Sequence, residues 1–507
     1  MPSPAVPENY TLCLGSDADF ARVRDFLSSA GFDEATLCRT LRIARMSELG
    51  TVRWNEVGWE GMPRALAWSI RVFVRGETAE EEESRAAGGD EVYAAFAALH
   101  LLVPAKDNPS RVICPVWLYP TDGFLVTSDR CDDAGGAGQA PAADVVFPAI
   151  YAGTERFLRL LPDACGGDAL DLCGGTGIGA LHLSRTARSA ATADLTGRSA
   201  FFAEFNARLN GRAIRSLCGD LYAPLAGLQF DLITAHPPFV PATSHHMIYR
   251  DAGDTGEDVT RGVVQGLPAH LRPGGRCVIL CFARDTEEKR LEHRVADWLG
   301  ADAADFEILY GLEKILTVEE LVESVRKRGG MISDDEARSL YGRLRSLGTR
   351  QFVYGAIYIR RLRGEPGAAP ARVDLNHAGG ADDFARLLRW RHERLQPGFS
   401  AWLACARPRF APGLELTVRH VMRDGELVPA EFVLRLSAGF EVALRLDGWV
   451  VPLLARLDGA RSVEQVFATA LAADELPAGF TLPAFSDFVA KVIEHDFMIV
   501  ELPENSG

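Results

Sequence analysis

Between residues 168 and 312, short apolar runs alternate with longer amphipathic stretches. Runs at 168–173, 190–194, 214–219, 230–236, 275–283 and 304–310 have the length of buried strands. The stretches 177–188, 198–210, 257–271 and 287–299 space their apolar residues as helices do, and Gly211 and Pro273-Gly274-Gly275 mark helix ends. This alternation predicts an α/β fold built on a doubly wound, mostly parallel sheet. Ligands of such sheets lie beyond the carboxyl ends of the strands.

The rhythm breaks at 313–350, where Thr317-Val318-Glu319-Glu320 and Ser333-Asp334-Asp335-Glu336 each read as a helix start with a reciprocal cap. A β-rich run at 352–361 then returns to the sheet, so the helical pair is an insertion that either walls a substrate site or packs on the sheet edge. Ahead of the sheet, residues 1–145 predict helices followed by a hairpin. Ser16-Asp17 opens a helix burying Phe20, Val23, Phe26 and Leu27, and further helices follow near 33–44, 62–75 and 89–103. The runs 112–119 and 124–127 flank the turn Pro120-Thr121-Asp122-Gly123. Residues 132–144 are a loop by composition, either a lid or a linker. Beyond the linker 364–371, residues 372–507 predict a second small α+β module. Its hairpin turns at Arg423-Asp424-Gly425, a helix is capped at Ser462, and another carries Phe485, Phe488, Val489, Val492 and Ile493. Both flanks have a winged-helix-like outline. The predicted division is 1–145, 146–363 and 372–507.

A chain of 507 residues exceeds one ordinary domain, which fits that division. The net charge of −15 lowers the prospect of a nucleic-acid partner and favours packing or dimerisation for the winged outlines, leaving room for a homodimer. Five Lys against 49 Arg reads as a GC-rich bacterial coding bias. Ten cysteines without a Cys-x-x-Cys pair point to a reduced, cytoplasmic protein with buried thiols. No apolar run approaches ~20 residues and no basic-plus-apolar signal opens the chain, so neither a membrane span nor secretion is expected. The tandem His245-His246 makes a poor metal pair, and no metal is expected.

Candidate chemistry collects at the predicted strand ends. After the first strand, Asp171-Leu172-Cys173-Gly174-Gly175-Thr176-Gly177 is a glycine-rich turn that offers backbone amides and the positive end of a helix to an anionic group. Asp194-Leu195 follows the second strand, Asp220-Leu221 the third, and His236-Pro237-Pro238-Phe239 the fourth.

This order resembles the class I S-adenosylmethionine-dependent methyltransferases, which have a Rossmann-like sheet. Within them it is similar to the branch carrying Asn/Asp-Pro-Pro-Tyr/Phe, the protein glutamine N-methyltransferases above all. His236-Pro237-Pro238-Phe239-Val240-Pro241 resembles their Asn-Pro-Pro-Tyr-Val-Pro, and Tyr249-Arg250-Asp251 with Thr260-Arg261 resembles the segment that follows. The likeness covers roughly 145–312 and 351–361. It implies S-adenosylmethionine as cofactor, with amides around Gly174, Gly175, Thr176 and Gly177 meeting the methionine carboxylate and Asp171 receiving its ammonium. By the same likeness Asp194 takes the ribose hydroxyls, Asp220 the adenine amino group, and Leu195 and Leu221 the ring faces. Cys173 departs from the family, which has glycine there. His236 departs too: in the family the Asn carboxamide and a proline carbonyl accept the nucleophile's N–H bonds, while the aromatic residue stacks on a planar acceptor. A neutral imidazole accepts one hydrogen bond and can take a proton. His236 is therefore expected to orient the acceptor or act as base, against the alternative of a passive substitute.

In the C-terminal module, Leu446-Asp447-Gly448 with Leu457-Asp458-Gly459-Ala460-Arg461-Ser462-Val463-Glu464-Gln465-Val466 is similar to small peptide-recognition domains of the PQQ-pathway chaperone type, which add a peptide strand to a sheet edge. Packing or dimerisation is the other reading. The expected function is N-methylation of a small metabolite or peptide in a bacterial biosynthetic pathway. The alternatives are a glutamine N-methyltransferase of a translation protein, an rRNA base N-methyltransferase, and a cofactor-binding scaffold without catalysis.

Overall fold

The computed structural model describes residues 12–130, 143–163, 165–242, 248–327 and 332–502. They form two compact units, one of Met1–Gly300 with Leu316–Arg361, the other of Ala301–Ile315 with Leu362–Gly507. His245, His246 and most of the loop expected at 132–144 lie outside the described residues.

The first unit is built on strands β1 (Asp168–Leu172), β2 (Ser189–Asp194), β3 (Ile214–Cys218), β4 (Phe230–Ala235), β5 (Leu271–Thr286) and β6 (Thr349–Arg361). Their order in the sheet is β3-β2-β1-β4-β5-β6, parallel throughout except for β6, which runs antiparallel to β5. The chain steps outward from β1 to β2 and β3, then crosses back to place β4 on the other side of β1. That reversal opens a crevice between the carboxyl ends of β1 and β4. The helices are α1 (Ala152–Leu160), α2 (Ile178–Leu183), α3 (Gly197–Leu209), α4 (Asp258–His270), α5 (Leu291–Leu299), α6 (Val318–Lys327) and α7 (Asp334–Ser346). This is the doubly wound, Rossmann-like sheet that the alternation predicts.

The N-terminal helices follow their local signals. Ser16 and Asp19 form a reciprocal cap on the helix Asp17–Ser29, whose buried face is Phe20, Val23, Phe26 and Leu27. The stretch expected as one helix over 62–75 begins as Arg64–Ser69 and widens into a π-helical turn at Ile70–Arg75. The β-rich run expected over 112–119 is two strands, broken at Cys114-Pro115, where proline offers no ladder donor. Asn108–Ile113 pairs with Ala79–Glu80 and Val103–Ala105, while Trp117–Thr121 pairs with Phe124–Ser128 around the left-handed Asp122 (φ 50) and Gly123 (φ 69). This hairpin is fastened to α3 by two asparagines: Asn210 exchanges hydrogen bonds with Leu125, and Asn206 with Thr127. Its edge is committed to internal packing.

The helical pair α6–α7 carries both expected caps, Thr317 with Glu320 and Ser333 with Glu336. Val318, Leu321, Leu340 and Leu344 pack with Phe282 and Phe352 of the sheet, and Phe239 rests against the same cluster.

A buried ion network stands next to Gly256, which packs against the Phe239 backbone. Glu257, its side chain 1 % exposed, lies 2.7 Å from both Arg284 and Arg294 and also accepts from the Arg284 backbone N–H. Burial alone would raise its pKa, but the paired guanidiniums hold it below the ordinary value.

In the second unit, Phe306–Leu316 runs parallel to Ala371–Asp374. A meander of Glu415–Arg423, Glu426–Ala438 and Phe440–Leu446 turns at Asp424 (φ 51) and Gly425 (φ 87). Helices Ala381–Glu393, Phe399–Cys405, Val463–Ala472 and Leu482–Glu494 share a core around Trp390, Leu453, Val466, Phe485 and Phe497. The terminal strand expected from Phe497 is the short Met498–Ile499, paired with Arg409–Phe410. The sequence reading runs one domain through 146–363, whereas residues Ala301–Ile315 cluster with this unit. Cys277 and Cys281 are buried as expected, but Cys218 and Cys405 are exposed. Among the described residues no helix is long and apolar enough to cross a membrane.

Removing Glu257 leaves two largely buried guanidiniums facing each other. Glu257→Ala is expected to cost about 3–5 kcal/mol, measured by denaturant unfolding. Because the folded-state pKa is depressed, the wild-type contribution should be complete above the ordinary glutamate value and fade as pH falls below it. The variant should lack that acid-side loss.

Candidate active site

Register decides which side chains meet. Leu172 of β1 pairs with Ala193 of β2 on one side and Ala235 of β4 on the other. The next residues, Cys173, Asp194 and His236, therefore leave the sheet side by side at the crevice. Asp194 pairs in turn with Cys218 of β3, so Asp220 emerges along the same edge.

The glycine turn has no room behind it. A Cβ on Gly174 would stand 1.9 Å from Thr192 Oγ1, one on Gly177 would stand 2.9 Å from the Ala203 Cβ, and one on Gly179 would stand 2.4 Å from the Asp171 carboxylate. Gly175, by contrast, has nothing near its missing Cβ, and its φ of 51 is left-handed. Cys173 also has a left-handed φ of 57, which glycine adopts without steric cost. The residue that departs from the resembled family thus keeps the backbone that a glycine would give. Asn206 on α3 locks the turn from the side. Its carbonyl accepts from Thr127 N–H and Oγ1, and its amide donates to Thr127 O and Thr176 O, at 2.7–3.0 Å, which fills all four bonding positions.

The acids have unlike surroundings. Asp171 is buried beneath the turn, accepting from Thr234 Oγ1 at 2.9 Å, and burial lifts its pKa to about 7 despite that bond and one from the Ala180 N–H. Burial also raises Asp194, whose carboxylate accepts the Gly175 N–H at 2.9 Å and the Thr196 N–H at 3.2 Å. Asp220 is exposed, and Leu195 beside the crevice is 54 % exposed. Leu221 has a left-handed φ of 45, and its side chain lies against the Gly262 backbone. Thr192 Oγ1 is buried and has no hydrogen-bond partner among the described residues. The amides of the turn are engaged within it, Gly177 donating to Gly174 O at 2.7 Å and Gly175 to Asp194, but a glycine turn, a strand-end carboxylate and an exposed leucine along one edge fit a nucleoside carrying an amino-acid tail.

At the other lip, the His236 ring stacks on Phe157 of α1 at 5.3 Å and 27°, with Gly153 close to its Cε1. No hydrogen bond joins the imidazole to any described residue, and burial pushes its pKa down to about 4. Pro237 is buried and Pro238 half-buried. Phe239 stands 6.0 Å from His236 and is backed by Phe282 at 6.2 Å and Tyr354 at 6.4 Å. The chain after the tetrapeptide is pinned as well. Val240 N–H donates to Arg250 O at 2.9 Å, and Arg343 of α7 donates to Ala242 O at 2.6 Å. The inserted helices therefore support the tetrapeptide from behind. Sequence reasoning missed Thr234, Asn206, Phe157 and Arg343. Thr234 alone left a legible trace, as a hydroxyl inside a strand two residues before His236.

Residues 147–298 match the family model of the Methyltransferase small domain. A release factor glutamine methyltransferase of Xylella fastidiosa is 34 % identical over 146 residues, 25 % of this chain and 50 % of the relative. A ribosomal protein uL3 glutamine methyltransferase of Xanthomonas campestris is 29 % identical over 133 residues, 24 % of this chain and 42 % of the relative. The chain thus spans about half the length of the curated relatives it matches. Among solved structures, a 16S rRNA N2 methyltransferase of T. thermophilus in complex with AdoMet and guanosine aligns over 56 % of this chain and 64 % of its own, at 16 % identity and a TM-score of 0.27. A methyltransferase from Pyrococcus furiosus aligns over 42 % and 84 %, at 14 % identity and a TM-score of 0.27. The family match and the curated relatives support a methyltransferase domain over this part of the chain.

Two measurements probe this geometry. Gly174→Ala should cost roughly 2 kcal/mol or more, because Thr192 has to give way, whereas Cys173→Gly should leave the melting temperature unchanged or raise it. An NMR titration of His236 should give a midpoint near 4, well under the ordinary 6.5. Since the folded-state value is the lower one, the ring is neutral at neutral pH, and its burial costs stability only as pH falls from about 6.5 toward 4.

Proposed function

We propose that the protein is an S-adenosylmethionine-dependent N-methyltransferase whose acceptor, a peptide or small metabolite, is held at the His236–Phe239 corner. The observation that carries this reading is the pairing of Leu172 with Ala235, by which the amide turn and the tetrapeptide flank one crevice. The cofactor, when bound, supplies an electrophilic methyl on a sulfonium. Everything else is positioning. The turn of Gly174, Gly175, Thr176 and Gly177 would meet the cofactor's carboxylate once the Gly175 N–H is released from Asp194, Asp171 would serve its ammonium, and Asp194 its ribose hydroxyls. Asp220 serves the adenine amino group, between Leu195 and Leu221. Asp171 reaches the ammonium through water or through the turn, since its own carboxylate is tied to Thr234.

His236 holds one N–H of the acceptor, so that the nitrogen lone pair faces the methyl group. A ring with a pKa of about 4 is a weak base at neutral pH, which favours the orienting role over proton abstraction. A proline carbonyl accepts the second N–H, and Phe239 covers the acceptor's planar face. The relatives support a peptide or protein acceptor, glutamine methylation included. The replacement of Asn by His supports a more specialised one.

The flanking units fit the same reading. The meander of the second unit offers its outer strand Glu415–Arg423 beside an apolar cavity of about 310 Å³, lined by Phe410, Leu414, Leu416, Leu434, Leu446 and Leu454. That combination supports peptide capture by a winged, peptide-recognition-like module. The N-terminal hairpin, bonded to α3, supports packing over nucleic-acid binding.

Incubation with methyl-labelled S-adenosylmethionine and fractionated cell extract should place label in the peptide or small-molecule fraction. His236→Ala should lower turnover about 10²-fold or more while cofactor affinity stays within twofold, and His236→Asn should recover part of it. Full turnover in the alanine variant would remove the orienting role, and label confined to RNA would overturn the acceptor class.

A further inference from the structure

The meander of the second unit stops at an uncovered edge. Glu415–Arg423 pairs with Glu426–Ala438 on one side, and among the described residues it has no strand on the other. All nine of its residues are exposed or half-buried. Edge strands are often guarded by a proline or a bulge of their own. Here Pro429 and the bulge at Ala430 sit in the neighbouring strand, so the outer ladder of Glu415–Arg423 runs unbroken. The third strand, Phe440–Leu446, reaches only to Phe432, which leaves 420–429 as a two-stranded ribbon. Such a ribbon is marginal in water without further packing. At its tip Met422 lies opposite Leu427, the two side chains 65 % and 67 % exposed.

The order of residues on the edge says which partner it admits. Read against itself in reverse about Arg419, the strand sets Glu415 opposite Arg423, Leu416 opposite Met422, Thr417 opposite Val421 and Val418 opposite His420. A two-fold axis at Arg419 makes each of these matches twice. A shift of two residues puts Glu415 against Val421 or Gly425 and Arg423 against Gly413 or Thr417, so the opposite charges no longer meet. A shift of one sets side chains of opposite faces against each other. The two Arg419 side chains face one another at the axis, each already bonded to Glu431 of its own chain at 2.8 Å. The same register brings Met422 of the second copy beside Leu416, which is 43 % exposed and lines the apolar cavity of about 310 Å³.

We propose that the protein self-associates by antiparallel pairing of Glu415–Arg423 with the same strand of a second copy, centred on Arg419. The two meanders then join into one continuous sheet, and the open ladders of both copies are closed by backbone hydrogen bonds. Two Glu415–Arg423 pairs and two Leu416–Met422 pairs fix the register. The contact is confined to one strand from each copy, so the dimer is weak, with a micromolar Kd. This inference stands apart from the methyl-transfer reading. A peptide captured on the same edge would take the place of the second copy, so the two occupants exclude each other.

The test is sedimentation velocity on the full chain from nanomolar to high micromolar concentration, over which monomers should give way to dimers. Glu415→Arg sets a guanidinium against Arg423 at both ends of the pairing, and Arg423→Glu sets a carboxylate against Glu415. Each variant alone should therefore dimerise about tenfold or more weakly than the wild type. An equimolar mixture of the two should form a heterodimer with a Kd within about threefold of the wild-type value, because every reversed charge then meets its opposite. A variant that had merely misfolded would not recover on mixing. The pairing is overturned by a wild type that stays monomeric throughout, by single variants that dimerise as the wild type does, or by a mixture no tighter than either variant alone.

Discussion

The architecture depends on the absence of space behind the glycine turn. Thr192, Ala203 and Asp171 each occupy the volume where a side chain on Gly174, Gly177 or Gly179 would begin. They come from β2, α3 and β1, so the turn is the point where those elements interlock. Asn206 closes the arrangement by bonding the turn at Thr176 and the N-terminal hairpin at Thr127. A change in any one element moves the amides that face the crevice. This close fit explains how a short loop keeps a fixed backbone without a ligand to organise it.

Rigidity on that side is matched by support on the other. Phe239 rests on Phe282, Tyr354 and the cluster built with α6 and α7, while Arg343 grips the chain just beyond. The helical insertion, which the sequence reading could assign either to substrate walling or to edge packing, acts as a buttress. It touches the proposed acceptor corner through Phe239. Both lips of the crevice are thus held by packing from outside it.

Legibility in the sequence divides along range of interaction. The capping boxes at Ser16, Thr317, Ser333 and Ser462 are decided by neighbours three residues apart, and their helices start where the sequence places them. The same holds for the turns at Asp122 and Asp424, and for the strand–helix alternation that fixes the sheet. Failures arise where a distant partner decides. The run 112–119 is rich in β-formers throughout, but Pro115 splits it between two sheets. Asn206 and Glu257 are ordinary polar letters on helical stretches. Their roles exist only because Thr127, Arg284 and Arg294 arrive from elsewhere. At the crevice, the order of Asp194, Asp220 and His236 is readable, yet their unequal burial is not. That inequality separates a carboxyl near neutrality at Asp171 from an exposed one at Asp220.

The substitution at position 236 gains meaning from its surroundings. A carboxamide brings an acceptor and two donors, and it stays neutral at any ordinary pH. An imidazole in water would be partly protonated near neutrality and would then repel a cationic cofactor. Here the half-buried ring lies against Phe157 and Gly153 of α1 with no hydrogen bond among the described residues, and desolvation keeps it neutral. The environment therefore restores the property that asparagine has by nature, a neutral hydrogen-bond acceptor, and keeps one N–H donor in place of the carboxamide's two. An acceptor nitrogen that offers its own N–H and a flat face would be held well by the ring's unprotonated nitrogen and by Phe239.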